Sequence, residues 1–453
     1  MVGEKVSKLA KISLPIFNSL LFFAFLQGIA TYTFEWLQWL MMFFIVYGTV
    51  ILGGFIIKQF EDQKIDEKYK PYVSILIPAH NEENVIRNTV LDAINQDYMD
   101  DKGKKLFEVI VIDNVSSDNT PVILRQMQDE YPELRVIYQG QDAKRGKPAA
   151  LIAGLRESQG EVIAVFDSDT RIPSDFIKKC MPYLSDPKVG GVQSLVRMYN
   201  ADKNFLTKAQ DDEFAIFTRI YQEGRDFLDG APTLGGNGQI TKKEAILAVG
   251  GWNEHALTED LELSLRLYEA GYNIRFCPEV SVYQEGVENF GALVKQRTRW
   301  ALGYLQCLME HTPKIIFSRM AFNKKLDLSL TLFSIFLPYL TLVGYAYLLL
   351  ELSRIFMFYT TLPSFILNFL AFAFLVNASV GARVLGLPRK SLLYVPLRYW
   401  FFSLHWLIAY IQAMWKMWLM WINDEAPFWD KTHHNGLQEE TAKGVSAAFQ
   451  VIK

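Results

Sequence analysis

Six clusters in this sequence carry residue types that do chemistry, and five of them are acidic or basic. Asp167-Ser168-Asp169 closes the apolar run EVIAVFDSD. Residues i and i+2 of a strand share one face, so both carboxylates are expected to point at one ligand. Two hard oxygen donors suit Mg²⁺ or Mn²⁺ bound together with phosphate oxygens. Asp113 ends a second apolar run, FEVIVID, and is placed to hydrogen-bond a nucleotide. Just beyond it, Asp118 or Asn119 would cap a helix. Gly146-Lys147 opens an Ala-rich helix, where a helix N-terminus plus an ammonium attracts phosphate. An ordinary solvated lysine is the competing reading. Thr258-Glu259-Asp260 begins another helix, with Thr258 as N-cap and Asp260 in the first turn. There the helix dipole is expected to hold the Asp260 carboxylate anionic, as a general base requires. Glu259 is a second candidate, and ordinary helix design explains it as well. Gln296-Arg297-Thr298-Arg299-Trp300 sets arginines beside a tryptophan, which fits a diphosphate and a sugar ring. Arg297 also fits lipid headgroups. The sixth cluster, Leu234-Gly235-Gly236-Asn237-Gly238, is rich enough in glycine for backbone to approach a ligand closely. A plain turn competes for Gly238.

The elements that position these residues follow from short apolar runs alternating with amphipathic ones. Strands are expected over residues 72–78, 107–113, 134–140 and 161–169, with helices over 84–94 and 147–158 between them. This pattern predicts an α/β fold, a doubly wound and mostly parallel sheet. Ligands of such sheets sit beyond the carboxyl ends of the strands, where Asp113 and Asp167 fall.

Composition bounds the rest. The chain has 453 residues, half of them hydrophobic and 21% charged. That mixture implies a soluble domain joined to membrane spans. The net charge of −3 argues against a nucleic-acid partner. Three cysteines without a CxxC exclude a disulfide scaffold, and six histidines show no zinc spacing. Apolar runs over 12–32, 36–57, 326–350 and 362–384 are long enough to span a bilayer. The run over 399–422 holds Trp400, Trp406, Trp415, Trp418 and Trp421, so it either crosses or lies in the interface. Lysines and arginines flank the inner sides of these runs, which puts residues 58–325 in the cytosol. The expected organisation is two N-terminal spans (1–57), a cytosolic domain (58–288), interfacial helices with QRTRW (289–325), C-terminal spans or interfacial helices (326–422) and a polar tail (423–453).

DSD, then TED, then QRTRW, in that order and before a pair of spans, resembles the membrane-embedded processive family-2 glycosyltransferases. These include cellulose, hyaluronan, chitin and poly-N-acetylglucosamine synthases. The resemblance covers residues 71–316 by motif. It implies a GT-A-type mixed-sheet domain inserted between transmembrane helices, with amphipathic helices at the interface. It implies a UDP-sugar donor, transfer with inversion, and a Mg²⁺ or Mn²⁺ cofactor. Asp113, Lys147, Asp167, Gln296 and Arg299 would bind the nucleotide and diphosphate. Asp169, with Asp167, would hold the metal. Asp260, with Glu259 beside it, would be the base. Trp300, Gly236 and Asn237 would line the acceptor.

The resemblance implies a plasma-membrane enzyme polymerising UDP-glucose into a β-glucan, such as cellulose or mixed-linkage glucan. The polymer would leave through the enzyme's own spans, with accessory secretion proteins as possible partners beside the growing polysaccharide and the lipid bilayer. Poly-N-acetylglucosamine synthesis and a non-processive transfer to a membrane glycolipid are the alternatives. Residues 427–432 resemble a degenerate gating loop.

Overall fold

The computed structural model describes residues 35–60, 66, 68–353, 376, 379 and 391–423. The runs expected at 12–32 and 362–384 and the gating-loop match at 427–432 lie outside these residues, apart from 376 and 379. The chain divides into two units, one from segments 1–50 and 336–377, the other from 51–335 and 378–453. In the first, Met41 and Leu340 are buried among Leu37, Met42, Phe44, Ile45 and Leu337.

The second unit is built on a seven-stranded sheet. Its strands are β1 (Val73–Ala79), β2 (Phe107–Asp113), β3 (Leu134–Tyr138), β4 (Val162–Val165), β5 (Val189–Met198), β6 (Gln239–Lys242) and β7 (Asn273–Gln284). The order is β3-β2-β1-β4-β6-β5-β7. Strands β3, β2, β1 and β4 run parallel, and β7 runs parallel to β5. β6 is antiparallel to both its neighbours, β4 and β5, so the sheet is mixed. β1 and β2 are almost wholly buried because helices cover both faces, which is why they read as unbroken apolar runs. One core lies under Val73, Ile75, Val109, Val111 and Phe166, the other under Leu76, Ile110, Ile163, Leu151 and Leu265.

Register sets the site. Ala79 stands opposite Asp113, and Asp113 opposite Tyr138, so the ends of β1, β2 and β3 lie together. The expected fourth strand is shorter than its apolar run. β4 stops at Val165, and Asp167–Asp169 form a turn beyond it. The shared-face argument for Asp167 and Asp169 therefore does not apply.

Two helices among the described residues are long and apolar enough to cross a membrane by length and composition alone, Glu35–Lys58 and Phe322–Tyr347. The Trp-rich run is two helices, Ser391–Ser403 and His405–Asn423, with a break at Leu404. The second rests on helix Phe290–Phe317, where Thr298 Oγ1 donates to Gln412 Oε1 at 3.0 Å. It leaves Trp415, Trp418 and Trp421 exposed.

Candidate active site

The loops after β1 and β2 are laced together. Asn81 N–H donates to Ser116 Oγ, Glu82 N–H to Thr120 Oγ1 and Glu83 N–H to Asp118 Oδ2. Asp118 also accepts from Thr120 N–H at the start of the following helix, whose N-cap Asn119 makes no side-chain cap bond. Val115 takes φ +60° in this loop, a costly conformation for a β-branched residue. The same loop holds Asp113, buried, whose Oδ1 has no hydrogen-bond partner among the described residues. A buried acceptor left unpaired is expensive, so this oxygen is available to a donor on a ligand. Asn114, not singled out by sequence, ties the loop to the next element. It accepts from Gly146 N–H at 2.8 Å and donates to the Lys144 carbonyl. Gly146, at φ +117°, is the residue before the helix Lys147–Glu157.

Lys147 is the hub. Its Nζ lies 2.6 Å from Asp167 Oδ1 and 3.1 Å from Glu259 Oε1. It also donates to the Gly236 carbonyl at 2.8 Å. Burial pulls its pKa down, but Asp167, Glu259 and Asp260 together outweigh burial and raise it. Lys147 is therefore a fixed cation among three carboxylates and not a solvated surface lysine. Gly236, at φ +75°, is glycine for a stated reason: a Cβ there would sit 3.1 Å from both Asp260 Oδ2 and Lys147 Nζ. Gly238 serves packing, since its Cβ would meet Ser194 Oγ at 2.5 Å.

Asp260 is in the first turn of helix Glu259–Glu269, and its Oδ1 accepts from Leu261 N–H. Its pKa is nevertheless pushed up to about 7, first by burial and then by the Glu259 charge, with Lys147 opposing. The expectation that the helix dipole would fix a plain anion is corrected: desolvation wins. Thr258 makes no side-chain cap bond. Its hydroxyl lies 3.8 Å from Cys307 Sγ, on helix Phe290–Phe317. That helix comes so close that a Cβ on Gly303 would stand 2.5 Å from Thr258. Tyr304, next in line, has its phenol pushed up to about 12 by burial and by Asp260.

Other expected residues are placed differently. Asp169 is buried beyond the β4 turn, where its Oδ2 accepts from Glu285 N–H at 3.2 Å. Asn237 does not offer its side chain to an acceptor. It is buried, its Oδ1 accepts from Asp167 N–H and Thr170 Oγ1, and its Nδ2 donates to Gln284. It shapes the Asp167–Asp169 turn. Arg299, Gln296 and Trp300 are half-buried on helix Phe290–Phe317, with Arg299 and Trp300 one turn before Gly303. Arg297 does not reach lipid headgroups; it is 2% exposed and ion-paired with Glu213.

Among the described residues no group of three or more His, Cys, Asp or Glu is arranged to hold a metal ion. The carboxylate oxygens of Asp167 and Asp169 fit Mg²⁺ or Mn²⁺ if phosphate oxygens complete the shell, as is usual for Mg²⁺. Taken together, the site sets one buried ammonium, Lys147, among three carboxylates, of which Asp260 has its pKa raised to about 7.

Comparison with known proteins identifies the family. The family model described as glycosyltransferase-like family 2 matches residues 71–303. The chain is 37% identical over 258 residues to a β-monoglucosyldiacylglycerol synthase of Synechocystis, covering 57% of this chain and 53% of that one. It is 29% identical over 243 residues to a poly-β-1,6-N-acetyl-D-glucosamine synthase of Staphylococcus aureus, covering 52% and 55%. The chain thus spans little more than half the length of either relative. Among solved structures, a mannosyltransferase of Pyrobaculum calidifontis, in complex with GDP-Man and Mn²⁺, shares the fold at a TM-score of 0.57. Its identity is 21%, and the match covers 84% of this chain and 99% of that one.

Proposed function

The chain belongs to the glycosyltransferase-like family 2, and on that premise we propose that it transfers a glucosyl group from UDP-glucose to a membrane lipid such as diacylglycerol. Transfer proceeds with inversion in a single displacement. The observation that carries this reading is the Lys147 cluster, in which Asp167, Glu259, Asp260 and the Gly236 carbonyl converge on one ammonium. The 37% identity to a glucosyldiacylglycerol synthase supports the choice of sugar and acceptor.

The chain's own residues act as follows. Asp113 Oδ1 accepts from the nucleoside. Lys147 turns from Asp167 towards the diphosphate and neutralises the charge that grows on the departing UDP. Arg299 assists it there, with Gln296 beside it. Asp260 takes the proton of the acceptor hydroxyl as its oxygen attacks the anomeric carbon and the bond to UDP breaks. Glu259 keeps Lys147 in place and raises the basicity of Asp260. Trp300 and the Gly236 backbone line the acceptor side. Asp167 and Asp169 would hold Mg²⁺ or Mn²⁺, which when bound supplies Lewis-acid stabilisation to the phosphate oxygens. The enzyme sits in the plasma membrane with this domain on the cytosolic side, anchored through helices Glu35–Lys58 and Phe322–Tyr347.

A second reading is a processive synthase of a β-glucan or of poly-N-acetylglucosamine, secreted through its own spans. The QRTRW motif and the 29% identity to a poly-N-acetylglucosamine synthase favour it. One experiment separates the two. The purified chain is reconstituted in vesicles with diacylglycerol and offered radiolabelled UDP-glucose or UDP-N-acetylglucosamine with each metal. Label in a single-sugar glycolipid supports the first reading, and high-molecular-weight product replaces it with the second.

A further inference from the structure

Among the described residues, a buried cation the proposed chemistry leaves unused is the guanidinium of Arg297, 2% exposed. Its Nη2 donates to Glu213 Oε2 at 2.5 Å. Its Cζ lies 4.1 Å from the centre of the Trp300 ring, 5.2 Å from that of Trp406 and 5.9 Å from that of Phe214. Phe214 meets Trp300 edge-on. Glu213 also opens a π-helical turn, Glu213–Thr218, a rare form that clusters at functional sites. Burial pulls the Arg297 pKa down and pushes that of Glu213 up, each opposed by the partner. Such a pair is a poor way to gain stability, because apolar residues would fill the same space about as well. Its geometry does something apolar residues cannot. A flat guanidinium stacks on an aromatic face and is fixed in its own plane by a carboxylate, so it fixes the ring as well.

We propose that Arg297, clamped by Glu213, is a positioning residue that locks the plane of Trp300 for the acceptor and ties it to Trp406 of the helix His405–Asn423. The proposal rests on the reading of Trp300 as acceptor-binding.

The test compares Arg297→Met/Glu213→Met, Arg297→Lys and Trp300→Ala in the full chain in phosphatidylglycerol vesicles. UDP-glucose and diacylglycerol are varied separately. Fluorine spectra of 5-fluorotryptophan-labelled protein follow the Trp300 signal, assigned by its loss in Trp300→Phe. The double variant removes both charges and is expected to melt near the wild type. Its kcat/KM for diacylglycerol should fall about ten- to a hundredfold while the KM for UDP-glucose holds, because misplacing a contact costs rate at the misplaced partner. Its Trp300 signal should shift or broaden. Arg297→Lys keeps the charge but loses the flat stack, so it should move both readouts the same way by less, and it decides the matter if the double variant does not fold. A folded variant with wild-type acceptor kinetics and an unmoved Trp300 signal overturns the proposal. Wild-type acceptor kinetics in Trp300→Ala would instead overturn the acceptor reading. The two failures are distinguishable because the fluorine signal still reports whether Arg297 holds the ring.

Discussion

The Lys147 cluster and the helical stretch Asp211-Asp212-Glu213 each gather three carboxylates, and each neutralises them in its own way. In the helical stretch every acid has its own arginine. Asp211 takes Arg197 at 2.7 Å and 2.9 Å, Asp212 takes Arg398 at 2.6 Å, and Glu213 takes Arg297 at 2.5 Å. In the Lys147 cluster Asp167, Glu259 and Asp260 surround a single ammonium. The first arrangement is closed, and each arginine joins the stretch to a different element: β5, helix Ser391–Ser403 and helix Phe290–Phe317. The second carries surplus negative charge in a confined space. Burial first, and then that surplus, raises the Asp260 pKa, and the surplus would be relieved by a bound cation. Buried acids therefore mark function when counter-charges are too few, and architecture when each has at least one cation of its own, as here where Asp211 also meets Lys208.

The contrast is broken most directly at Asp260. Asp260→Asn should lower the transfer rate by about 10²–10⁴-fold, the usual contribution of a general base. Its affinity for UDP by calorimetry should stay near wild type; near-normal turnover would remove Asp260 from its role. Next in size is Asp211→Ala, which leaves the Arg197 guanidinium without its bidentate partner. The cost should be about 3 kcal/mol, at the low end for breaking a buried pair because Arg197 keeps some access to water. It is read as a lower urea midpoint at unchanged slope, with the activity of the folded fraction preserved. Lys147→Met should cost about 10²-fold in kcat/KM for the UDP-sugar, as expected for losing one preorganised charge at the leaving group. Its melting temperature should fall as well, since Asp167, Glu259 and Asp260 lose their shared cation. The smallest and most diagnostic effect is that of pH. Activity needs Asp260 unprotonated, so kcat/KM should fall as pH drops through about 7. Lys147→Met should move that limb upward, since Lys147 lowers the Asp260 pKa.

Stability should run the other way. A carboxyl raised above its unfolded value of about 3.9 favours the folded state while protonated. That contribution is complete below about pH 4 and is lost as pH rises through about 7. Asp260→Asn should thus raise the melting temperature at pH 8 and leave it unchanged at pH 4.

Sequence made the parallel half of the sheet legible because β1, β2 and β4 are buried on both faces and read as apolar runs between helices. β5, β6 and β7 were not picked out, since their residues mix glycines, polar side chains and arginines that pair elsewhere in the fold. Lys147, Asp167, Glu259, Asp260 and Gly236 were each named from local pattern, and the fold brings them together. The paired acids escaped notice for a plain reason. Asp211-Asp212-Glu213 reads as a solvated helical face, and two of its arginines lie 84 and 186 residues away. Asn114 and Asn237 were misjudged or missed because an amide that braces a turn looks, in sequence, like one that meets a ligand.

The absence of a side chain at Gly303 has a consequence for how such enzymes can be rebuilt. Because Thr258 occupies the space where a methyl would be, the helix bearing Trp300 and the start of the helix bearing Asp260 behave as mated parts. A designer who grafts an acceptor helix from a relative inherits both halves of that fit or neither. New acceptor preferences are then more readily gained by changing side chains along the helix than by tilting it, and a chimera should carry Gly303 and Thr258 as one heritable unit.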